Sequence, residues 1–167
     1  MIGLVVYHGS NIIVEKPEIR ESERFLDFGM GFYTTSNREQ AEKWSFRAAK
    51  RSEPQTRILS LYEFDLENAA RELSVIQFNE PNGEWLDFVC LCRMGREASK
   101  VYDIAIGAVA NDTVYKVVQF YENGVYDKDE AIKRLKIQKL FNQILFHTEK
   151  ALNYCKFKGF EDLGGVK

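Results

Sequence analysis

The chain has 167 residues, 45% apolar and 29% charged, with a formal net charge of −2. That size suffices for one globular domain with its own core, and that charge excludes global attraction to nucleic acid or acidic lipid. Cys90, Cys92 and Cys155 are odd in number, form no CxxC pair and sit among apolar residues, which argues for buried thiols and against a disulfide framework or a zinc site.

Residues 4–8 read as a buried strand, and residues 11–28 as a polar, charge-rich connection containing Pro17. Residues 32–35 read as a second strand. Ser36 with Glu39 then fits a capping box for a helix over Arg38–Arg51, with Ala41, Trp44, Ser45 and Ala48 on its inner face. Residues 58–64 alternate as a strand does. Asn82-Gly83 marks a turn before a helix over 84–94, with Trp85, Phe88, Val89 and Cys92 on one face. A buried strand is predicted over 102–108. Asn111 or Asp112 caps a helix that carries Val114, Val117, Val118 and Tyr121 and stops at Asn123-Gly124. An amphipathic helix over 129–140, a strand over Asn142–Phe146, a short helix opened by Thr148 and a final strand over 156–160 complete the chain. Short strands interspersed with helices, without strict alternation, predict an α+β fold with a mixed or antiparallel sheet. No repeat or Pro/Gly-rich linker divides it, so one domain over 1–167 is expected.

Two short segments carry the chemistry. Tyr7-His8-Gly9-Ser10 ends the first strand, and Gly29-Met30-Gly31-Phe32-Tyr33-Thr34-Thr35 leads into the second. Each sets a polar or aromatic side chain beside a glycine, where backbone can approach a ligand. His8 also matters by scarcity, since His147 is the one other histidine.

These segments resemble the ADP-ribosyltransferase fold in its His-Tyr-Glu branch, which includes diphtheria-like toxins and the poly(ADP-ribose) polymerases. A closer resemblance is to small bacterial ADP-ribosyltransferase-like proteins, often the toxins of toxin–antitoxin pairs. It is carried by the stretch at 7–10, by residues 27–35, by Gln40-Ala41-Glu42-Lys43-Trp44, and by later blocks at Val109-Ala110-Asn111-Asp112 and Gln143-Ile144-Leu145-Phe146-His147-Thr148. The resemblance implies a split mixed or antiparallel sheet core with flanking helices. It also implies NAD as substrate, cleaved between nicotinamide and ribose, with ADP-ribose passed to a protein or nucleic-acid acceptor and a cognate antitoxin as a further partner. NAD hydrolysis, and a non-catalytic module that binds NAD or an ADP-ribosyl mark, are the alternatives.

Under this resemblance His8 would hydrogen-bond a ribose hydroxyl, and Gly9 would offer its backbone N–H and C=O to the nicotinamide carboxamide while leaving room for the ring. Tyr33 would stack on that ring. Ser10, Phe32, Thr34 and Asn111 complete the expected NAD contacts. The third family position is commonly glutamate and here is Gln143, which can hold a ribose hydroxyl but cannot serve as a carboxylate base. Glu149 is the nearest carboxylate and the second choice for that role, although it also suits the first turn of a helix. Polymer formation is therefore disfavoured.

His147 has no spacing partner and reads as structural; no His, Cys and carboxylate cluster has zinc-like spacing, so no metal is expected. A P-loop and a dinucleotide GxGxxG are both lacking, which disfavours NAD as a redox cofactor. Lys133, Arg134, Lys136 and Lys139 crowd one late helix and read as a solvated face. With neither a secretory leader nor a long apolar run, a cytoplasmic protein without membrane contact is expected.

Overall fold

A computed structural model describes residues 3–20, 27–95, 101–109, 112–136 and 141–166. The first sheet is antiparallel, in the order β1 (Leu4–Ser10), β3 (Thr56–Phe64) and β7 (Cys155–Gly165). The second is mixed. It runs β2 (Phe32–Thr34), β6 (Asn142–Phe146), β5 (Ile104–Ala108) and β4 (Val75–Gln77), and only the β4–β5 pair is parallel. The α+β expectation therefore holds at that level.

Period-two alternation sorts the strand residues into layers. Val6, Tyr62 and Phe64 of the first sheet meet Phe32, Ile104, Ile106, Ile144 and Phe146 of the second in one buried cluster. The alternate residues Ala105 and Leu145 face the other way. They pack with Phe28, Trp85, Val89, Val118 and Leu135 under α3 (Gly83–Arg93), α4 (Asp112–Glu122) and α5 (Lys128–Lys136). The remaining long helix, α1 (Arg38–Arg51), lies against β1 and β3. Two short helices, α2 (Leu66–Glu72) and α6 (Glu149–Leu152), add Ala69, Ala151 and Leu152 to the inter-sheet cluster.

The cap of α1 differs from the expected box. Asn37 is the N-cap, its side chain accepting from the Gln40 N–H at 2.9 Å. Ser36 is held elsewhere: its N–H donates to Asn142 Oδ1 at 3.1 Å, and Asn142 Nδ2 donates to its hydroxyl at 2.8 Å. The buried face of α1 is Gln40, Ala41, Ser45 and Ala49, which leaves Trp44 and Ala48 half-buried. Strand β7 runs well past residue 160, whereas α2 and β4 answer to no expected element. The expected end of α5 at 137–140 falls outside the described residues. Among the described residues, no helix is long and apolar enough to cross a membrane.

Candidate functional site

Strands β1 and β2 touch at one bridge, where Tyr7 N–H donates to Thr35 O at 2.8 Å and Thr35 N–H donates to Tyr7 O at 3.0 Å. Continued antiparallel pairing would set Gly9 opposite Tyr33. Instead the His8 side chain takes that place, its Nδ1 lying 2.7 Å from the Tyr33 carbonyl oxygen. A carbonyl only accepts, so Nδ1 carries the proton and donates. The imidazole also stacks on Phe32, with ring centroids 4.6 Å apart. One side chain thus replaces a ladder bond and wedges the two sheets apart.

Two consequences follow. Backbone groups alternate in direction along a strand, so Gly9 N–H and C=O point to the same side as those of Tyr7, into the opening. Among the described residues neither group has a backbone partner there. The second concerns His8 itself: with Nδ1–H committed to Tyr33, Nε2 presents a lone pair. Burial, the largest influence, lowers the His8 pKa; the Tyr33 carbonyl opposes this, and the Arg20 charge adds to the lowering. The ring is therefore a neutral acceptor at pH 7.

Glycine at position 9 answers to α1. A Cβ there would lie 1.9 Å from Ala41 O and 2.8 Å from Ser45 N, so the space a side chain would need is filled by helix backbone. This corrects the expectation that the missing side chain makes room for a ligand ring. The glycines of the next segment serve a turn. Gly29 has φ +80°, and Gly31 has φ +155° with a Cβ position 2.4 Å from Phe146 O. Tyr33 OH donates to Gly29 O at 2.5 Å, and His147 Nδ1 donates to Met30 O at 2.9 Å, so two side chains pin this turn.

The structure brings His8, Gly9, Phe32 and the Tyr33 backbone together. It does not bring the Tyr33 ring with them. Phe32 belongs to the inter-sheet cluster whereas Tyr33 packs against the helix-covered one, so the phenol and the imidazole lie on opposite faces of β2. Burial and then the Asp27 charge push the phenol pKa well up, keeping it a neutral donor to Gly29. Stacking of Tyr33 on a ligand held by His8 is corrected accordingly. Thr34 is fully buried with its hydroxyl donated to Ile144 O, which removes it from the ligand-contacting set. Ser10 ends β1 half-buried on the His8 face, and Asn111 lies outside the described residues.

Gln143 is 3% exposed and donates from Nε2 to Ala108 O at 3.2 Å. It alternates with Ile144, so it shares the Leu145 and Tyr33 face and is turned away from His8. Glu149 is tied to the segment that follows β1. Ser60 pairs with His8 across β1 and β3, and its Oγ accepts from the Val14 N–H at 3.0 Å, while Tyr62 OH donates to Val14 O at 2.5 Å. The segment starting at Val14 therefore crosses the His8 face, and farther along it the Ile19 N–H donates to Glu149 Oε1 at 3.4 Å.

Ser60 lies outside the sequence-predicted set. Its signal was a lone hydroxyl inside the apolar run Ile58-Leu59-Ser60-Leu61, at a fully buried position. His147 Nε2 is buried without a partner, and burial lowers its pKa. The three cysteines are free and buried, each pushed up to about 12 mainly by burial. Among the described residues no group of His, Cys, Asp and Glu is placed to hold a metal. A cavity of about 1020 Å³ lies at the opposite end of β1, lined by Gly3, Glu63, Asp65, Arg71 and Lys156 among others, and shares no residue with the opening.

The family described as "Protein of unknown function (DUF3990)" matches residues 4–157, so the chain belongs to that family. No curated protein and no solved structure matches it.

Proposed function

We propose that this DUF3990-family chain binds NAD at the opening between β1 and β2 and transfers its ADP-ribose to a macromolecule, as the toxin of a bacterial toxin–antitoxin or defence pair. The observation that carries the reading is the pairing of Gly9 with His8. A nicotinamide carboxamide has one donor and one acceptor side by side, and the Gly9 N–H and C=O offer the complementary pair on a strand edge. A ribose hydroxyl then has a neutral acceptor in His8 Nε2, held in place by Tyr33 O and Phe32.

Cleavage passes through a cation-like ribose while the pyridinium nitrogen takes the bonding pair and nicotinamide leaves neutral. Holding the sugar and the leaving amide at fixed geometry favours that transition state by orientation. An imidazole kept neutral adds no charge to oppose it. Purified protein incubated with labelled NAD and cell lysate should release nicotinamide and label a macromolecule, and His8→Ala should lose at least tenfold of both while circular dichroism shows the fold retained. Full activity in His8→Ala would remove the site assignment.

A second reading is favoured by one observation. The Gln143 amide is tied to Ala108 O on the far face, so it supplies no base to the opening. A module that binds NAD or an ADP-ribosyl mark without turnover needs none. Calorimetric NAD binding with no nicotinamide release would select that reading.

A further inference from the structure

We propose that the acceptor is a single-stranded nucleic acid that docks on a cationic, aromatic surface of α1 and β3, and that its terminal phosphate takes the ADP-ribose. The second clause rests on the NAD reading; the docking surface does not. Although the chain as a whole carries a net charge of −2, residues 38–57 hold six cations against three carboxylates. Glu39 pairs with Lys43 at 2.9 Å, and Arg38 is shared by Glu42 at 2.9 Å and Glu161 of β7 at 2.5 Å, so the cationic surplus lies toward the end of α1. There Phe46 is 39% exposed, with Lys50 Nζ 4.6 Å and the Arg57 guanidinium 5.7 Å from its ring centroid.

A cavity of about 320 Å³ opens beside this ring, lined by Lys43, Phe46, Arg47 and Arg57 together with Glu39 and Glu42. Arg57 Nε is buried and has no hydrogen-bond partner, a donor lacking an acceptor beside an opening to solvent. An exposed aromatic among cations suits bases and phosphates together, whereas an acidic peptide would use the charge alone.

The surface borders the NAD opening. Ile58, next to Arg57, pairs with Ser10, and Asn11 Nδ2 donates to Pro54 O at 3.2 Å. The Ala41–Ser45 turn of α1 lies directly on Gly9. A strand docked along α1 would end beside the residues assigned to NAD.

The missing base selects the acceptor group. Gln143 is an amide on the far face and cannot take a proton, so a nucleophile that arrives already deprotonated suits this site. In a nucleic acid the terminal phosphomonoester meets that need, because its second pKa is about 6. Its oxygen lone pair forms the bond to ribose C1′ as the C1′–N bond breaks. That bonding pair passes to the pyridinium nitrogen, nicotinamide leaves neutral, and no proton moves.

Fluorescence anisotropy with a 5′-phosphorylated single-stranded oligonucleotide tests docking without NAD. Wild type should bind in a salt-dependent way, and the Lys50→Glu/Arg51→Glu double variant should lose at least tenfold in affinity with unchanged melting temperature and NAD titration. Absent or salt-independent binding, or equal binding by the variant, overturns the docking surface. Labelled NAD is then given with the same oligonucleotide before and after phosphatase treatment. Labelling should fall at least tenfold when the phosphate is removed. Equal labelling of the hydroxyl form overturns the phosphate assignment, as does an unlabelled oligonucleotide while lysate protein is labelled. Oligonucleotide binding by a chain that shows no NAD binding overturns the NAD reading and the transfer step, and leaves the docking surface standing.

Discussion

Strand β2 has two neighbours, and the polar groups beside them are treated in opposite ways. Toward β6 polar side chains add bonds to the ladder: Thr34 donates to Ile144 O, Thr35 Oγ1 to Asn142 O, and Gln143 Nε2 to Ala108 O. Toward β1 the ladder stops after one bridge, and an imidazole stands where the next backbone bond would be. The first region uses its polar side chains to reinforce a sheet. The second uses one to interrupt a sheet, leaving the Gly9 backbone donor and acceptor without a backbone partner among the described residues. Buried backbone groups are normally paired, so an interrupted ladder held open by a side chain is the stronger pointer to a ligand.

The largest effect is expected on the open side. Gly9→Ala sets a methyl against Ala41 O, which is backbone and can move only with α1. Overpacking of this kind costs ~3 kcal/mol or more. Urea denaturation should show that loss, together with loss of NAD binding; an unchanged midpoint would mean that α1 does not seat on β1.

The closed side gives the next. In Gln143→Glu an acceptor replaces the donor that faces Ala108 O. Leaving such a buried pair unsatisfied costs about 2 kcal/mol, and nicotinamide release should not rise. A stable variant with raised transfer would place Gln143 in the reacting centre and erase the contrast between the two sides.

Tyr33→Phe sharpens the division between faces. Removing the bond to Gly29 O should cost about 1 kcal/mol, while NAD affinity changes less than threefold. A tenfold loss of NAD affinity at unchanged stability would put the phenol ring in the pocket after all.

The smallest effect is on pH dependence. Burial lowers the pKa of both histidines in the folded state, His8 on the open side and His147 beneath the glycine turn. Unfolded imidazoles titrate near 6.5, so below about that pH the unfolded chain binds more protons and stability falls. The urea midpoint should therefore drop as pH falls from about 7 to 5, and the drop should be shallower in His147→Gln. Identical pH curves for wild type and variant would contradict the burial of His147.

Much of this contrast was legible in the sequence, though not its sense of direction. Strands with alternating or wholly apolar residues, and the 3.6-residue pattern of α1, place the main elements. By contrast α2 and β4, at seven and three residues, are too short for either period to register, and neither has the glycine segment that marks the equally short β2. In β7 the alternation of Cys155, Lys156, Phe157 and Lys158 stops at Gly159, beyond which Phe160 is exposed and Glu161 half-buried, so its second half carries little hydrophobic pattern. Phe32 and Tyr33 are neighbours in a strand and must face apart, a constraint the sequence itself contains. The fit of Gly9 under Ala41 joins residues 32 positions apart, and no local pattern contains it.

Titration of isotopically labelled protein with NAD, followed by NMR at the Gly9 amide and the His8 ring nitrogens, tests the account most directly. Both should shift together and saturate at one ligand concentration, with His8 Nε2 changing as it accepts a hydrogen bond and Nδ1 keeping its proton. Shifts confined to the cavity at Glu63 and Asp65, or no shift at either histidine or glycine, would contradict it.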